Sequence, residues 1–284
     1  MVKKIIGNCY IYLILLLMYL PVLILVVFSF TDTANVGSWA GFTFDLYPRL
    51  FQNEEAMVAI GNTVILALTS AVVSVVLGTT GAIGAFYSRR GVKKTIDGVT
   101  QIPIVNAEIV MALSLTVMFV FLQTYVFRAN ILSFWTLLIG HVVLSLPFVY
   151  ISVKPKLEQM DPSLYEAAID LGATPHQALW KVIIPEVLPG VFSGFLLAIT
   201  LSLDDFVITR FTTGSGLLSG EASIVTLSTY VQGKIKKTNI PNELRALTTI
   251  IFVLVILAVA GISISRYYKE KHGKTRAERR VKGL

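Results

Sequence analysis

Six apolar runs set the first limit on what this chain can become. They cover Ile5 to Phe30, Ile60 to Phe86, Pro103 to Phe127, Trp135 to Val153, Val187 to Thr209 and Ala246 to Ser265. Each is close to the ~20 residues an α-helix needs to cross the ~30 Å hydrocarbon core of a bilayer. Inside that core only segments that satisfy their own backbone hydrogen bonds survive. Composition agrees: of 284 residues 55% are hydrophobic and 14% charged, where a soluble domain carries about a quarter charged. Mean hydropathy is +0.73. The expected fold class is an all-α integral membrane protein with six transmembrane helices. The first run follows Lys3 and Lys4, but it is too long for a secretory signal and no small-x-small cleavage site follows, so it reads as an uncleaved span. Cys9, the single cysteine, lies inside that run and excludes a disulfide framework or a cysteine-rich metal site.

The basic residues give an orientation. With the N-terminus inside, 17 of the 24 Lys/Arg fall in the N-terminus, 88–102, 154–186 and the tail, against seven in the outer segments. This bias places both termini in the cytoplasm. The outer loop 31–59 agrees, with Asp32, Asp45, Glu54 and Glu55 against Arg49, whereas the outer loop 210–245 is mildly basic. The tail 266–284 holds eight of the Lys/Arg and lacks the aromatic company of a nucleic-acid binder, so it suits anionic headgroups. In the second span Ser70, Ser74, Gly78 and Ala82 recur every four residues, a spacing that lets helix backbones approach closely in lipid.

The cytoplasmic segment 154–186 is too patterned for a linker. Asp161 with Pro162 is expected to start a helix, and Leu164, Ala167, Ala168 and Leu171 share one face of it. Gly172 is placed to end that helix in the left-handed conformation. Thr174, Pro175 and Gln177 make a capping box for a second helix, and Pro185 is expected to close the unit. Alanine and glycine strip the corner of side chains, so a partner could reach its backbone; an ordinary hairpin folded onto its own membrane domain would read the same way.

"EAAIDLGATPHQALWKVIIP" resembles the EAA loop of the inner-membrane permease subunits of ABC importers. Glu166, Ala167, Ala168, Gly172, Ala173 and Pro185 match the pattern, while Leu179 stands where an aromatic residue is common. The resemblance covers about residues 60–265, taken as the permease core of a MetI-like permease fold. It implies that 154–186 is a helix-turn-helix coupling segment that docks on a cytoplasmic ATPase, with Glu166 pairing to a basic residue there.

The fifth run contains Asp204 and Asp205. A charge at the centre of a membrane helix costs roughly 2.5–3.5 kcal/mol on insertion scales and almost always faces protein or a water-filled path. Counting at ~1.5 Å per residue from Pro189 puts Asp204 about 22 Å across, in the outer third. The two side chains point about 100° apart, so one can face the path while the other caps a broken helix or pairs with a neighbour. Glu108, beside Asn106, lies only ~8 Å inside if its helix starts at Pro103; it is either an exit-side cation contact or a helix-end carboxylate. "SLDDFVITRFTTG", "PIVNAEIV" and "NIPNELRALTT" are similar to the PotC-type permeases of spermidine/putrescine importers, except that Arg245 replaces a smaller polar residue. That similarity implies a polyamine path, with Phe206, Phe211 and Tyr230 as candidate walls, though each type is commonly core filler.

No phosphate-binding G-x-x-x-x-G-K-[ST] loop is present. His141, His176 and His272 form no H-E-x-x-H pair, and no nucleophile-elbow serine occurs, so nothing points to an enzyme. The resemblance therefore implies that ATP and Mg are bound by a partner ATPase dimer, with no cofactor in this chain. It further implies a homologous second permease of the PotB-like kind, an extracytoplasmic solute-binding protein, and residence in a bacterial inner membrane. A secondary transporter or channel is the rival reading; it would usually show inverted repeats, and no duplicated halves are visible.

Overall fold

A computed structural model describes residues 2–33, 37–128, 131–213, 224–237, 242–254 and 256–257. Among the described residues all regular structure is helical. The chain divides into two compact units, residues 1–57 with 234–284, and residues 58–233.

The first unit contains α1 (Val2–Phe28) and α2 (Leu46–Gln52). Its span, Gly7–Phe28, has a mean hydropathy of 3.0, and most of its residues are exposed, with a few half-buried near its end. The link between the two helices is organised by aromatic rings. Phe30 stacks on Phe42 with centroids 5.4 Å apart and meets Phe44 edge-on at 5.5 Å. Asp32 accepts hydrogen bonds from Asn242 (3.0 Å) and Arg49 (2.6 Å), which hold its carboxyl below the usual range. Of the sixth expected span, Ala246–Ser265, residues 246–254 and 256–257 are helical, in a helix that starts at residue 243. Its remainder past residue 257 and the basic tail 266–284 lie outside the described residues.

The second unit is built on α6 (Phe134–Gln159), whose Val149, Val153 and Leu157 are fully buried. α3 (Glu54–Phe86) meets it through the small-residue stripe: Ser70, Ser74, Gly78 and Ala82 are all buried. A Cβ on Gly78 would lie 2.9 Å from Val149 Cβ, so the close approach requires glycine there. α9 (Ile184–Asp204) packs on α6 by the same device, reaching the same Val149 that α3 meets. A Cβ at Gly190 would come within 2.7 Å of the Ser152 carbonyl oxygen, and one at Gly194 within 3.0 Å of Val149 Cα. Gly190, Gly194 and Ala198 thus repeat the four-residue small pattern of the second span. Without a hydrophobic drive between helices in lipid, such contacts supply the packing.

Two expected boundaries are corrected. The third span does not begin at Pro103. α4 (Arg90–Val105) runs through that proline, the backbone is extended at Asn106 and Ala107, and α5 begins at Glu108 and runs to Phe121 before a wider π turn over Leu122–Phe127. Nor does Pro185 close the cytoplasmic unit. A π turn over Leu179–Ile183 precedes it, and Pro185 then sits in the first turn of α9, where its missing N–H disturbs least. The result is one apolar helical path from Pro175 to Asp204. In all, five helices among the described residues are long and apolar enough to cross a membrane.

Candidate functional site

α9 stops at Asp204, and the reason is Asp205. Its backbone is extended (φ −61°, ψ 128°), and a short helix, α10 (Val207–Thr212), starts two residues later. Asp205 Oδ1 accepts from the Ile208 amide at 3.1 Å, and Oδ2 from the Thr209 amide at 2.8 Å and the Thr209 hydroxyl at 2.9 Å. These bonds satisfy orphan amides at the start of α10. Asp205 is 4% exposed and its side chain is fully buried. Of the two alternatives for the aspartate pair, Asp205 therefore takes the capping one. Six residues are too few for an isolated helix, and α10 is held at its other end too: Thr116 donates to the Phe211 carbonyl (2.8 Å) and Thr136 to that of Thr212 (3.1 Å). Gly140 lets α10 press on α6, since a Cβ there would lie 2.6 Å from Ile208 Cγ2.

Asp204, by contrast, is exposed and lines a cavity of about 360 Å³. The same cavity is lined by Asn106, Glu108, Asp205, Phe206 and Phe148. The sequence count placed Asp204 and Glu108 at different depths; the structure gathers them at one site. The discrepancy follows from the break at Asn106–Ala107, which makes Glu108 the first residue of a new helix and not the sixth of one begun at Pro103. Among the candidate walls, Phe206 lines the cavity. Phe211 instead packs against the buried cluster of Met111, Ala112 and Ile208. Tyr230 is buried in the helix Leu227–Lys237 and is not among the lining residues.

The cytoplasmic corner is built locally. α7 (Ser163–Asp170) is preceded by Asp161, which accepts from the Ser163 amide at 2.9 Å. It ends with Gly172 at φ +87°. The Ala173 amide donates to the Ala168 carbonyl (3.0 Å) and the Gly172 amide to that of Ile169 (2.9 Å), the paired bonds of a Schellman cap. Next comes α8 (Pro175–Ala178), with Thr174 and Gln177 exchanging side-chain-to-backbone bonds as a full capping box. Glu166, Ala167 and Gly172 are exposed, Ala168 and Ala173 half-buried, and Leu171 at the tip is 90% exposed. A Cβ on Gly172 would meet nothing within 4 Å. The inner side of the hairpin is anchored: Leu164 and Tyr165 pack on the α6 core, and the Tyr165 ring lies 5.4 Å from that of Tyr87. Beside it, Asp97 of α4 accepts from Tyr150 (2.7 Å) and pairs with Lys154 (2.8 Å). Burial opposes the Asp97 carboxylate, but Lys154 and Tyr150 outweigh it and hold its pKa below the ordinary value.

His141, in the sequence only a scattered histidine, does not line the cavity but stands behind it, against the helix break. It lies fully buried within hydrogen-bond distance of Ser202 and Thr209. A polar residue on an apolar span facing "LSLDD" is the signal that could have marked it.

Apolar helices around a carboxylate-lined cavity, with a capped corner anchored on its inner side and exposed at its tip, fit a multi-pass membrane permease. The chain belongs to the binding-protein-dependent transport system inner membrane component family, whose model matches residues 74–269. It is 33% identical over 265 residues to the spermidine/putrescine transport system permease protein PotC of Haemophilus influenzae, covering 93% of this chain and 96% of that protein. It is 31% identical over 261 residues to the putrescine transport system permease protein PotI of Escherichia coli strain K12, covering 89% of each. A bacterial ABC transporter involved in the import of the acidic polysaccharide alginate shares the fold, with a TM-score of 0.69 over 94% of this chain and 96% of that one at 17% identity. The homologues are transport permease components, and this chain is an inner-membrane component of the same kind.

Proposed function

We propose that this chain forms half of the translocation path of an ATP-driven polyamine importer. It has six spans with both termini cytoplasmic, a homologous second permease beside it and a solute-binding protein outside. An ATPase pair docks below on the 154–186 hairpin, and ATP and Mg are bound there. The observation that carries the solute class is the cavity: Asp204 and Glu108 line it together with Phe148 and Phe206. Carboxylates with aromatic walls complement an extended polycation with methylene spacers, through charge pairing and cation–π contact. The same lining would repel an acidic cargo, so sharing a fold with an alginate importer does not carry that cargo over. The relatives named for spermidine and putrescine support the polyamine reading. The docking reading is supported by the corner, where Ala167, Gly172 and Leu171 stand exposed while its inner side is anchored.

The test is reconstitution with the ATPase, sister permease and binding protein in vesicles. ATP-dependent uptake of labelled spermidine or putrescine is expected, with no uptake of an uncharged solute of similar length. Asp204→Asn is expected to lower uptake about tenfold, the loss of one charge-assisted contact, while leaving the amount of assembled complex unchanged. Equal uptake by this variant would remove Asp204 from the path, and preference for another cation would replace the polyamine assignment.

A further inference from the structure

The imidazole of His141 engages both sides of the helix break. Nδ1 lies 2.8 Å from Ser202 Oγ, in the last turn of α9, and Nε2 lies 2.9 Å from Thr209 Oγ1, in α10. Thr209 passes the link on to Asp205 at 2.9 Å, and Nε2 is itself 3.5 Å from Asp205 Oδ2. The Thr209 hydroxyl has one proton; donating it to Asp205 leaves its oxygen to accept, which assigns a proton to Nε2. Ser70 of α3 extends the chain to Ser202 at 3.1 Å, and Ser228 donates to the Asp205 carbonyl at 2.7 Å. All the side chains joined here except Ser228 are buried.

An aliphatic side chain could fill the His141 site without any cost of burying polar atoms. A ring with one nitrogen on each side of a helix break instead fixes the relation between the two pieces. Asp204 is the last residue of α9 and its side chain is exposed to the cavity. Its aim is therefore set by the backbone of that last turn, which His141 holds through Ser202. We propose that His141 is a positioning residue: it clamps α9 against α10 so that the Asp204 carboxylate is presented to the cavity. The solute arm of this proposal rests on the polyamine path inferred above; the geometric arm does not.

The geometric arm uses the complex assembled with its ATPase and sister permease, with Cys9→Ser and Asp204→Cys, and a water-soluble cationic thiosulfonate reagent. His141→Leu is expected to slow labelling at position 204 about tenfold, the size expected when buried hydrogen-bonding groups lose their partner. His141→Gln, which keeps one donor and one acceptor, should stay within about twofold. Should His141→Leu fail to assemble, Ser202→Ala and Thr209→Val each remove one end of the clamp and should slow labelling about threefold. In the solute arm, with Asp204 intact, His141→Leu should raise the KM for spermidine about tenfold and lose most of that effect once Asp204→Asn is present, because the two act through one carboxylate. A histidine that only stabilises the fold would lower yield and thermal stability and leave labelling rate and KM unchanged, and that result overturns the proposal. Failure of the parent complex to take up spermidine, with labelling still sensitive to His141, would count against the solute and support the clamp.

Discussion

The corner at Gly172 and the break at Asp205 are both places where a helix stops and another begins, yet they are made in opposite ways. At the corner every hydrogen bond that turns the chain joins residues at most five apart: Asp161 to Ser163, Ala173 to Ala168, Thr174 to Gln177. The groups are largely exposed, and one glycine at positive φ does the turning. At the break the cap is local, but it is embedded in bonds from α3, α6 and the segment after residue 224. The corner is a stiff part that can be offered to a partner without disturbing the bundle. The break is stiff only because the bundle is folded around it.

That contrast can be tested by removing one cap at a time and following the heat-inactivation half-life of the purified complex. Asp205→Ala should have the largest effect, about 3 kcal/mol, because two amides and a hydroxyl lose a buried charged acceptor; Asp205→Asn should recover roughly half of it. Gly172→Val should cost about 1–2 kcal/mol for forcing a β-branched residue into the left-handed region. It should also abolish uptake while membrane insertion persists, and Gly172→Asn should retain much more of both, since asparagine tolerates that conformation. Thr174→Ala should be mildest, about 1 kcal/mol or less for an exposed cap. If Thr174→Ala proved as damaging as Asp205→Ala, the distinction between a locally built and a bundle-built junction would be lost.

The same distinction explains what could be read from the sequence. Five of the six expected spans are legible because length and apolar composition alone define them, with the third starting at Glu108 and not Pro103, and the corner is legible because its caps pair near neighbours. The small-residue stripe of α3 is legible from its four-residue period; Gly190, Gly194 and Ala198 carry the same period, but over three positions only and in a run that also holds Pro189 and two aspartates. The roles of Asp204 and Asp205 are open in the sequence, since either acid could start a helix after a break, and what faces each one, Glu108 and Asn106 across the cavity and His141 behind Thr209, lies 60 or more positions away. Pro103 and Pro185 misled for one reason: a proline was taken to mark a helix end. In the fold the chain passes through both, and the real interruption comes at Asn106–Ala107.

The unbroken run from Pro175 to Asp204 is 30 residues long. At ~1.5 Å per residue that is at most about 45 Å, the π turn at Leu179–Ile183 shortening it somewhat, against the ~30 Å hydrocarbon core. The exposed elbow sits just before one end and the cavity carboxylate is the other end. A tilt of about 5° at the elbow would sweep that carboxylate through about 4 Å, more than the length of a hydrogen bond. With the ATPase and the solute placed as proposed above, both would hold this one helix, and no relay of side chains between them would be needed.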